Sequence, residues 1–394
     1  MSKRVENLIR EETRKRCQIT TLDAKLSRKF NQINTELFHY LYEVDKISFK
    51  IFLKIEEFLV EFIKPNEFSK ELLDEIWTAL QSEKKVQVLI EKKHQGVFEQ
   101  VIDMIRDKKF SKLFEKDPGL DRKTLEIFGN LSNASQLVVR GGITAEVAIQ
   151  VKASAAFLVG NLMDNDVAIA TLSRMVTHDP TLYDHSASVA MLSAMIGRQC
   201  LEKPLSPKET ELVSQCGLYH DVGKTCVPSA VLNKPGRFTE EEFSIMKKHA
   251  EFGEEELQKV IKSGAPVDPM AARVAGEHHE RFCGQGYPKG KSGCYEVDPV
   301  NGIHLYTRVV TIADVYSALL MKRVYKPSYE PQDAIKIMAA IAEKEYDPGI
   351  FSKFVKSVVG SLNKYQERHS TLQKGRILYF DEDGELKEED RKVV

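Results

Sequence analysis

The rhythm of hydrophobic and polar positions changes along the chain. The first ~25 residues are charged and compatible with a helix. Residues 36–44 (ELFHYLYEV) then read as a strand, and Asp45-Lys46 can turn the chain. Ile47, Phe49, Ile51, Leu53 and Ile55 recur at period two, the spacing of a half-buried strand. After Pro65, Leu72, Leu73, Ile76, Trp77 and Leu80 share one helical face. Residues 86–91 (VQVLIE) read as a third strand, and Val97, Phe98, Val101, Ile102 and Ile105 mark a second helix. The spacing therefore predicts a small ββαβα unit over residues 28–115. It contains no glycine-rich phosphate loop and no paired acids of evident purpose. Residues 116–145 carry Asp117-Pro118-Gly119, a polar stretch at 130–135 and Gly141-Gly142, and read as a boundary. From there the pattern is helical to about residue 360. A charged tail follows, with a short hairpin expected where Arg376–Phe380 and Leu386 flank Asp381–Gly384. The expected fold is mostly α. A small α/β domain (1–115) leads through a helical linker (116–145) to an all-helical domain (146–360), and then to the tail (361–394).

Composition narrows the function classes. The 394 residues are 42% hydrophobic and 29% charged, which suits globular domains with a sizeable core. The 57 basic and 58 acidic residues give a net charge of −1, too little for a field that binds nucleic-acid polymers. No run approaches the ~18–20 apolar residues of a membrane span. The N-terminus lacks the apolar core of a signal peptide, so a cytoplasmic location is expected. The six cysteines show no CxxC spacing and read as reduced thiols. The ten histidines change the picture, because seven of them fall between His178 and His304.

The strongest local motif in that region is His220-Asp221-Val222-Gly223-Lys224. It follows a helix face formed by Leu212, Val213, Cys216 and Tyr219, and Gly223 can break the helix. An imidazole beside a carboxylate is a mixed N/O ligand pair suited to iron, manganese or zinc. Lys224 would offer a point charge to a phosphate oxygen. His185 starts an amphipathic segment. His249 is expected inside a helix begun by the capping pair Thr239 and Glu242. His278 and His279 end a helix that opens at Asp268-Pro269. Asp314 sits in an apolar helical run, where a carboxylate is costly unless paired or metal-bound. Their occurrence on successive helices points to one metal centre.

The order His185, His220-Asp221, His249, His278-His279, Asp314 resembles the HD-GYP family of HD-domain phosphodiesterases. The segment Glu277 to Pro288 (EHHERFCGQGYP) contains its HHE and GYP signature, and Val231–Gly236, Phe238–Glu241, Tyr316, Ala318, Arg323 and Tyr325 also match. The resemblance covers about residues 178–350. It implies an HD-type helical fold and two transition-metal ions, iron or manganese. His185, His220, Asp221 and Asp314 would serve one ion. Asp221, His249, His278 and His279 would serve the other, so Asp221 bridges. The implied reaction is hydrolysis of cyclic di-GMP to pGpG, and onward to GMP in some members. A hydroxide held between metals about 3.5–4 Å apart would be the nucleophile. Asp221 and Lys224 would be the catalytic residues, and Lys224, Tyr287, Arg323 and Lys326 would contact the nucleotide.

Several positions depart from the family. Thr181 stands where trinuclear members carry a glutamate, so two metals are expected rather than three. Cys283 stands where Asp or Asn is common. The segment Gly290–Gly302 is about seven residues longer than usual. His178-Asp179 lacks the glycine-lysine that follows His220-Asp221 and reads as a surface element, and His304 reads as structural. Cys216 and Cys226 read as buried, unreactive thiols. The alternatives are a phosphodiesterase for another cyclic dinucleotide, such as cyclic GMP-AMP, and a weakly catalytic receptor or scaffold in signal transduction. Helical linkers such as 120–175 often pair in signalling proteins, which makes a homodimer a reasonable expectation. The signalling partner of the first domain is unassigned.

Overall fold

A computed structural model of the chain describes residues 11–33, 38–80, 86–117, 119–162, 165–178, 184–232, 234, 236–321, 329–368, 376–380 and 386–390. The chain divides into two compact units. One comprises Met1–Ser111, Val139–Gly141 and Val227–Met246, and the other comprises Lys112–Val138, Gly142–Cys226 and Lys247–Val394.

Five antiparallel strands form the sheet of the first unit: β1 (Gln18–Thr21), β2 (Phe30–Gln32), β3 (Ile51–Ile55), β4 (Phe58–Ile63) and β5 (Val86–Glu91). Their order is β1-β4-β3-β5-β2. The β-branched and aromatic residues of β3 and β4 suit a pleated, buried surface, and the pair closes through Glu56, whose φ of 55° is the left-handed value a tight hairpin turn needs. Phe52, Leu59 and Leu89 form a cluster on this sheet, covered by Leu22, Leu26 and Phe30. Helices α1 (Glu11–Arg16), α2 (Ala24–Ser27), α3 (Lys70–Leu80) and α4 (Gln95–Lys116) accompany the strands, and Phe98 of α4 packs edge-on against Phe49.

The sheet is therefore larger than the ββαβα expectation. The edge strands β1 and β2 are only four and three residues long and carry little apolar signal. The β3–β4 turn has no glycine or asparagine to announce it. The strand expected at 36–44 is also corrected, because His39–Glu43 is a 3-10 helix. Its wholly buried Phe38 and Leu41 lie three residues apart, a helical rather than a strand spacing.

The second unit is helical. Its succession is α5 (Arg122–Gly141), α6 (Ala145–Leu162), α7 (Ala168–His178), α8 (His185–Gln199) and α9 (Pro207–Tyr219), followed by a 3-10 turn at Val222–Cys226. Two helices of the first unit, α10 (Ser229–Leu232) and α11 (Glu240–Lys247), intervene in sequence. Then come α12 (His249–Lys262), α13 (Pro269–Glu277), α14 (Leu305–Leu320), α15 (Pro331–Ala339), α16 (Ala342–Glu345) and α17 (Pro348–Arg368). Strands β6 (Arg376–Phe380) and β7 (Leu386–Asp390) pair as an antiparallel hairpin. Helix α8 packs against both α9 and α14. The α8–α9 approach is close because position 217 is glycine: a Cβ there would lie 2.7 Å from the Ala190 Cα. Ser206 and Glu209 form a reciprocal capping box at the start of α9, ahead of Pro207. No helix among the described residues is long and apolar enough to cross a membrane.

Candidate metal centre

Each histidine at the centre occupies a helix end or the residue beside one. His185 is the first residue of α8, after the N-cap Asp184. His220 caps the C-terminus of α9, and Asp221 follows in the turn. His249 opens α12, and His278 caps the C-terminus of α13. The helix expected to run through His249 from Thr239 is in fact two. Thr239 and Glu242 do cap α11 reciprocally, but α11 ends at Lys247 and His249 starts the next helix.

Gly223 sets the spacing between two of these elements. Its Cβ, if it had one, would lie 2.0 Å from the His249 carbonyl oxygen and 2.4 Å from the Gly253 nitrogen. The residue is needed for close backbone approach of the turn to α12, a different task from breaking the helix.

The side chains converge around Asp221. Its Oδ2 lies 3.3 Å from His220 Nε2 and 3.8 Å from His185 Nε2. Its Oδ1 lies 3.4 Å from His249 Nε2 and 3.7 Å from His278 Nε2. Asp314 Oδ1 stands 3.0 Å from His185 Nε2 and 3.7 Å from His220 Nε2. His279 Nε2 is 3.1 Å from His249 Nε2, which is 3.3 Å from His278 Nε2. Three donor groupings result: His185, His220 and Asp314; His220, Asp221 and His278; His249, His278 and His279.

Ring orientation is imposed from behind. His220 Nδ1 donates to the Gly217 carbonyl at 2.7 Å and His278 Nδ1 to that of Ala275 at 2.9 Å. A carbonyl oxygen can only accept, so each neutral ring presents a lone pair at Nε2. His185 Nδ1 meets Ser317 Oγ at 2.8 Å. Ser317 was missed in the sequence, although it stands three residues beyond Asp314 on the same helix face.

Electrostatics favour ligands ready for a cation. Burial, joined by the neighbouring histidines, holds His278 well below the usual imidazole range, and burial lowers His279 to about 4. Burial alone would raise Asp221. Lys224 and then His220 more than offset it and keep the carboxyl well below its ordinary value. Asp314 is likewise lowered against the effect of burial, chiefly by its hydrogen bond to His185. At His220 burial opposes the charged form, but Asp221 outweighs it and raises the group, so a proton competes with a cation for this nitrogen. His220 Nε2 is buried with no hydrogen-bond partner. A lone pair so placed, among neutral imidazoles and ionised carboxylates, fits a divalent metal ion.

The comparisons with known proteins agree. Residues 170–350 match the family described as HD domain. The His278-His279-Glu280 and Gly286-Tyr287-Pro288 motifs lie within the matched residues. HD domains imply divalent metal binding, and the donor set above suits it. The chain is 35% identical over 214 residues to "Cyclic di-GMP phosphodiesterase PA4108" of Pseudomonas aeruginosa, covering 53% of this chain and 46% of the relative. It is 34% identical to "Cyclic di-GMP phosphodiesterase response regulator RpfG" of Xanthomonas campestris, covering 41% of this chain and 40% of the relative. It is 33% identical to "3'3'-cGAMP-specific phosphodiesterase 3" of Vibrio cholerae, covering 45% and 36%. The chain thus spans less than half the length of these curated relatives. Among solved structures, the HDG"Y"P protein Bd1817 of Bdellovibrio bacteriovorus shares the fold, with a TM-score of 0.51 at 19% identity over 82% of this chain and 98% of that one.

The remaining expected positions divide as follows. Lys224 Nζ is 2.5 Å from Asp221 Oδ2. Tyr287 stacks on His279, with ring centroids 4.7 Å apart. Arg323, Lys326, Thr181 and Asp179 lie outside the described residues, as does the side chain of His178. His304 is the N-cap of α14 and accepts from the Tyr306 N–H. Burial, then Arg273, lowers it to about 4. Cys216 is buried as expected, but Cys226, the last residue of the 3-10 turn, is exposed. Cys283 is also exposed and pairs across an isolated bridge with Ser292.

Proposed function

We propose that this chain hydrolyses a phosphodiester bond of cyclic di-GMP, giving pGpG, at a centre of two divalent metal ions. The observation that carries this reading is the division of the Asp221 carboxylate, with Oδ2 facing His185 and His220 and Oδ1 facing His249 and His278. That is the placement expected of a carboxylate shared by two cations. His185, His220 and Asp314 would complete one ligand set, and His249, His278 and His279 the other. The donors are nitrogen and oxygen only, which suits iron or manganese.

Bound metals would supply Lewis acidity and a water of lowered pKa. The chain's own residues do the rest. Backbone carbonyls of Gly217 and Ala275 hold the His220 and His278 rings so that Nε2 faces inward. Lys224, about one-third exposed at its side chain, can reach an anionic oxygen placed beside Asp221 and stabilise charge developing there. Tyr287 forms an aromatic wall over His279, and Arg323 and Lys326 are proposed to meet the nucleotide. Residues 1–115 are proposed as the regulatory domain, joined through residues 116–145 to the catalytic region 146–360. Helical segments such as residues 120–175 are proposed to pair between two copies of the chain in a homodimer.

Cyclic GMP-AMP is the second reading, favoured by the 33% identity to a cGAMP-specific relative. One experiment tests both. Manganese- or iron-loaded protein is incubated with cyclic di-GMP and, separately, with 3'3'-cGAMP, and the products are separated by chromatography. Formation of pGpG is expected. Metal-loaded protein that binds cyclic di-GMP but leaves it and 3'3'-cGAMP intact would make the chain a receptor.

A further inference from the structure

Glu280 directly follows the pair His278-His279 and is 1% exposed. An acid at that place invites assignment as a metal ligand or proton donor. Both of its oxygens are committed elsewhere. Oε1 accepts the Lys289 N–H at 2.7 Å, and Oε2 accepts the Lys291 N–H at 2.9 Å. The side chains of the same two lysines turn to other acids. Lys289 Nζ meets Glu254 at 2.8 Å, and Lys291 Nζ meets Glu277 at 2.8 Å. Glu280 therefore grips the backbone alone, and it does so at two points beyond Tyr287.

The near side of the loop is fixed as well. The Tyr287 N–H donates to the His279 carbonyl at 3.2 Å. A Cβ at Gly286 would lie 2.4 Å from the Arg281 nitrogen and 2.5 Å from the Glu280 Cα, so the strand of loop before Tyr287 rests directly on the backbone of 280–281. Tyr287 is held from both directions, and its ring lies on His279 at an interplanar angle of 27°. Lys247 Nζ stands 5.8 Å from the centroid of the Tyr287 ring.

The geometry points to Glu280 as a positioning residue. By gripping the backbone of Lys289 and Lys291 it holds Tyr287 over the metal centre, and so sets how tightly the cyclic dinucleotide is held. This rests on the function proposed above. It assigns the glutamate to the substrate wall rather than to the metals. Glu280→Gln keeps one acceptor oxygen but turns an NH2 toward the second N–H. Glu280→Ala leaves both N–H groups without a partner.

The test uses the full chain loaded with manganese. Amide hydrogen exchange across residues 286–291 is measured for the wild type, Glu280→Gln and Glu280→Ala. It should quicken about tenfold or more in Glu280→Ala, and by less in Glu280→Gln, with metal content unchanged. With cyclic di-GMP as substrate, KM should rise about tenfold while kcat stays within about twofold, as expected for lost binding shared by ground and transition states. The Glu280→Ala/Tyr287→Ala double variant should match Tyr287→Ala alone, because the glutamate acts through the tyrosine. Three results overturn the proposal: unchanged exchange at 286–291, loss of metal in Glu280→Gln, or additive effects in the double variant. If the wild type turns over neither cyclic di-GMP nor 3'3'-cGAMP, the functional reading fails, and the exchange and metal measurements still decide the role of Glu280. Should Glu280→Ala fail to fold, Glu280→Gln supplies the same comparison.

Discussion

Lys224 lies 2.5 Å from Asp221, on the same carboxylate oxygen that faces His185 and His220. The ammonium and the proposed metal ligands therefore share one acid. Burial would raise the Asp221 carboxyl, and Lys224 is the strongest of the neighbours, ahead of His220, that together hold it well below its ordinary value.

The two residues are expected to separate in their effects. Lys224→Met should lower turnover of cyclic di-GMP by about 100-fold, the scale of losing one charge-stabilising group, and leave metal content near the wild type. Asp221→Asn should reduce metal content and turnover together. Elemental analysis beside product chromatography reads both quantities. Wild-type turnover in Lys224→Met would remove that residue from the site.

Gly223→Ala tests the close approach of the turn to α12. The added methyl would meet the His249 carbonyl at 2.0 Å, and the backbone must shift to admit it. The variant should lose about 3 kcal/mol of stability, at the upper end for overpacking, and part of its bound metal, since His249 and Asp221 would move apart. Urea unfolding and metal analysis measure the two effects. Unchanged values for both would mean that the turn and α12 are further apart than described.

Arg308 is 8% exposed and pairs with Asp347 at 2.5 Å, and also with Glu296 in the long segment after the signature. Its NH1 further meets the Cys294 sulfur at 3.1 Å. Arg308→Met should cost about 3–5 kcal/mol by leaving Asp347 without its buried cation. Asp347→Asn in the same background should recover part of the loss. Denaturant midpoints of the three proteins decide this, and a midpoint unchanged from wild type in Arg308→Met would contradict it.

Stability of the metal-free protein should depend on pH through His279. Its value falls from 6.5 to about 4 on folding, so between these limits the unfolded chain binds the extra proton. Stability then rises with pH in that window and is lost as pH falls from 6.5 toward 4. His279 contributes up to about 3 kcal/mol to this loss, and the raised value at His220 opposes it. Melting temperatures of apo protein from pH 4 to 7 should decline toward acid, with a shallower slope in His279→Gln. Equal slopes in the two proteins would remove His279 as the cause.

The helices of the second unit were legible because each carries its own local signal. The face Leu212, Val213, Cys216 and Tyr219, the pair Asp268-Pro269, and the apolar run around Asp314 all mark ends or faces within a few residues of themselves. The sheet was less so. Its edge strands are too short for periodicity to register, and the segment around Phe38 and Leu41 is buried enough for a 3-10 helix to resemble a strand in composition.

The sequence by itself determined which residue types are available for chemistry and the order in which they follow. Five histidines and two aspartates on successive helices, with the HHE and GYP signature, were enough to name the kind of domain. Only the tertiary structure decided which atoms of these residues face one another. Which oxygen of Asp221 faces which histidines, the need for glycine at 223, and the use of Glu280 as a backbone clamp all depend on contacts between separate elements. A local pattern constrains the chain over a turn or two. The directions in which side chains meet are set by how helices pack, which is a property of residues far apart in sequence.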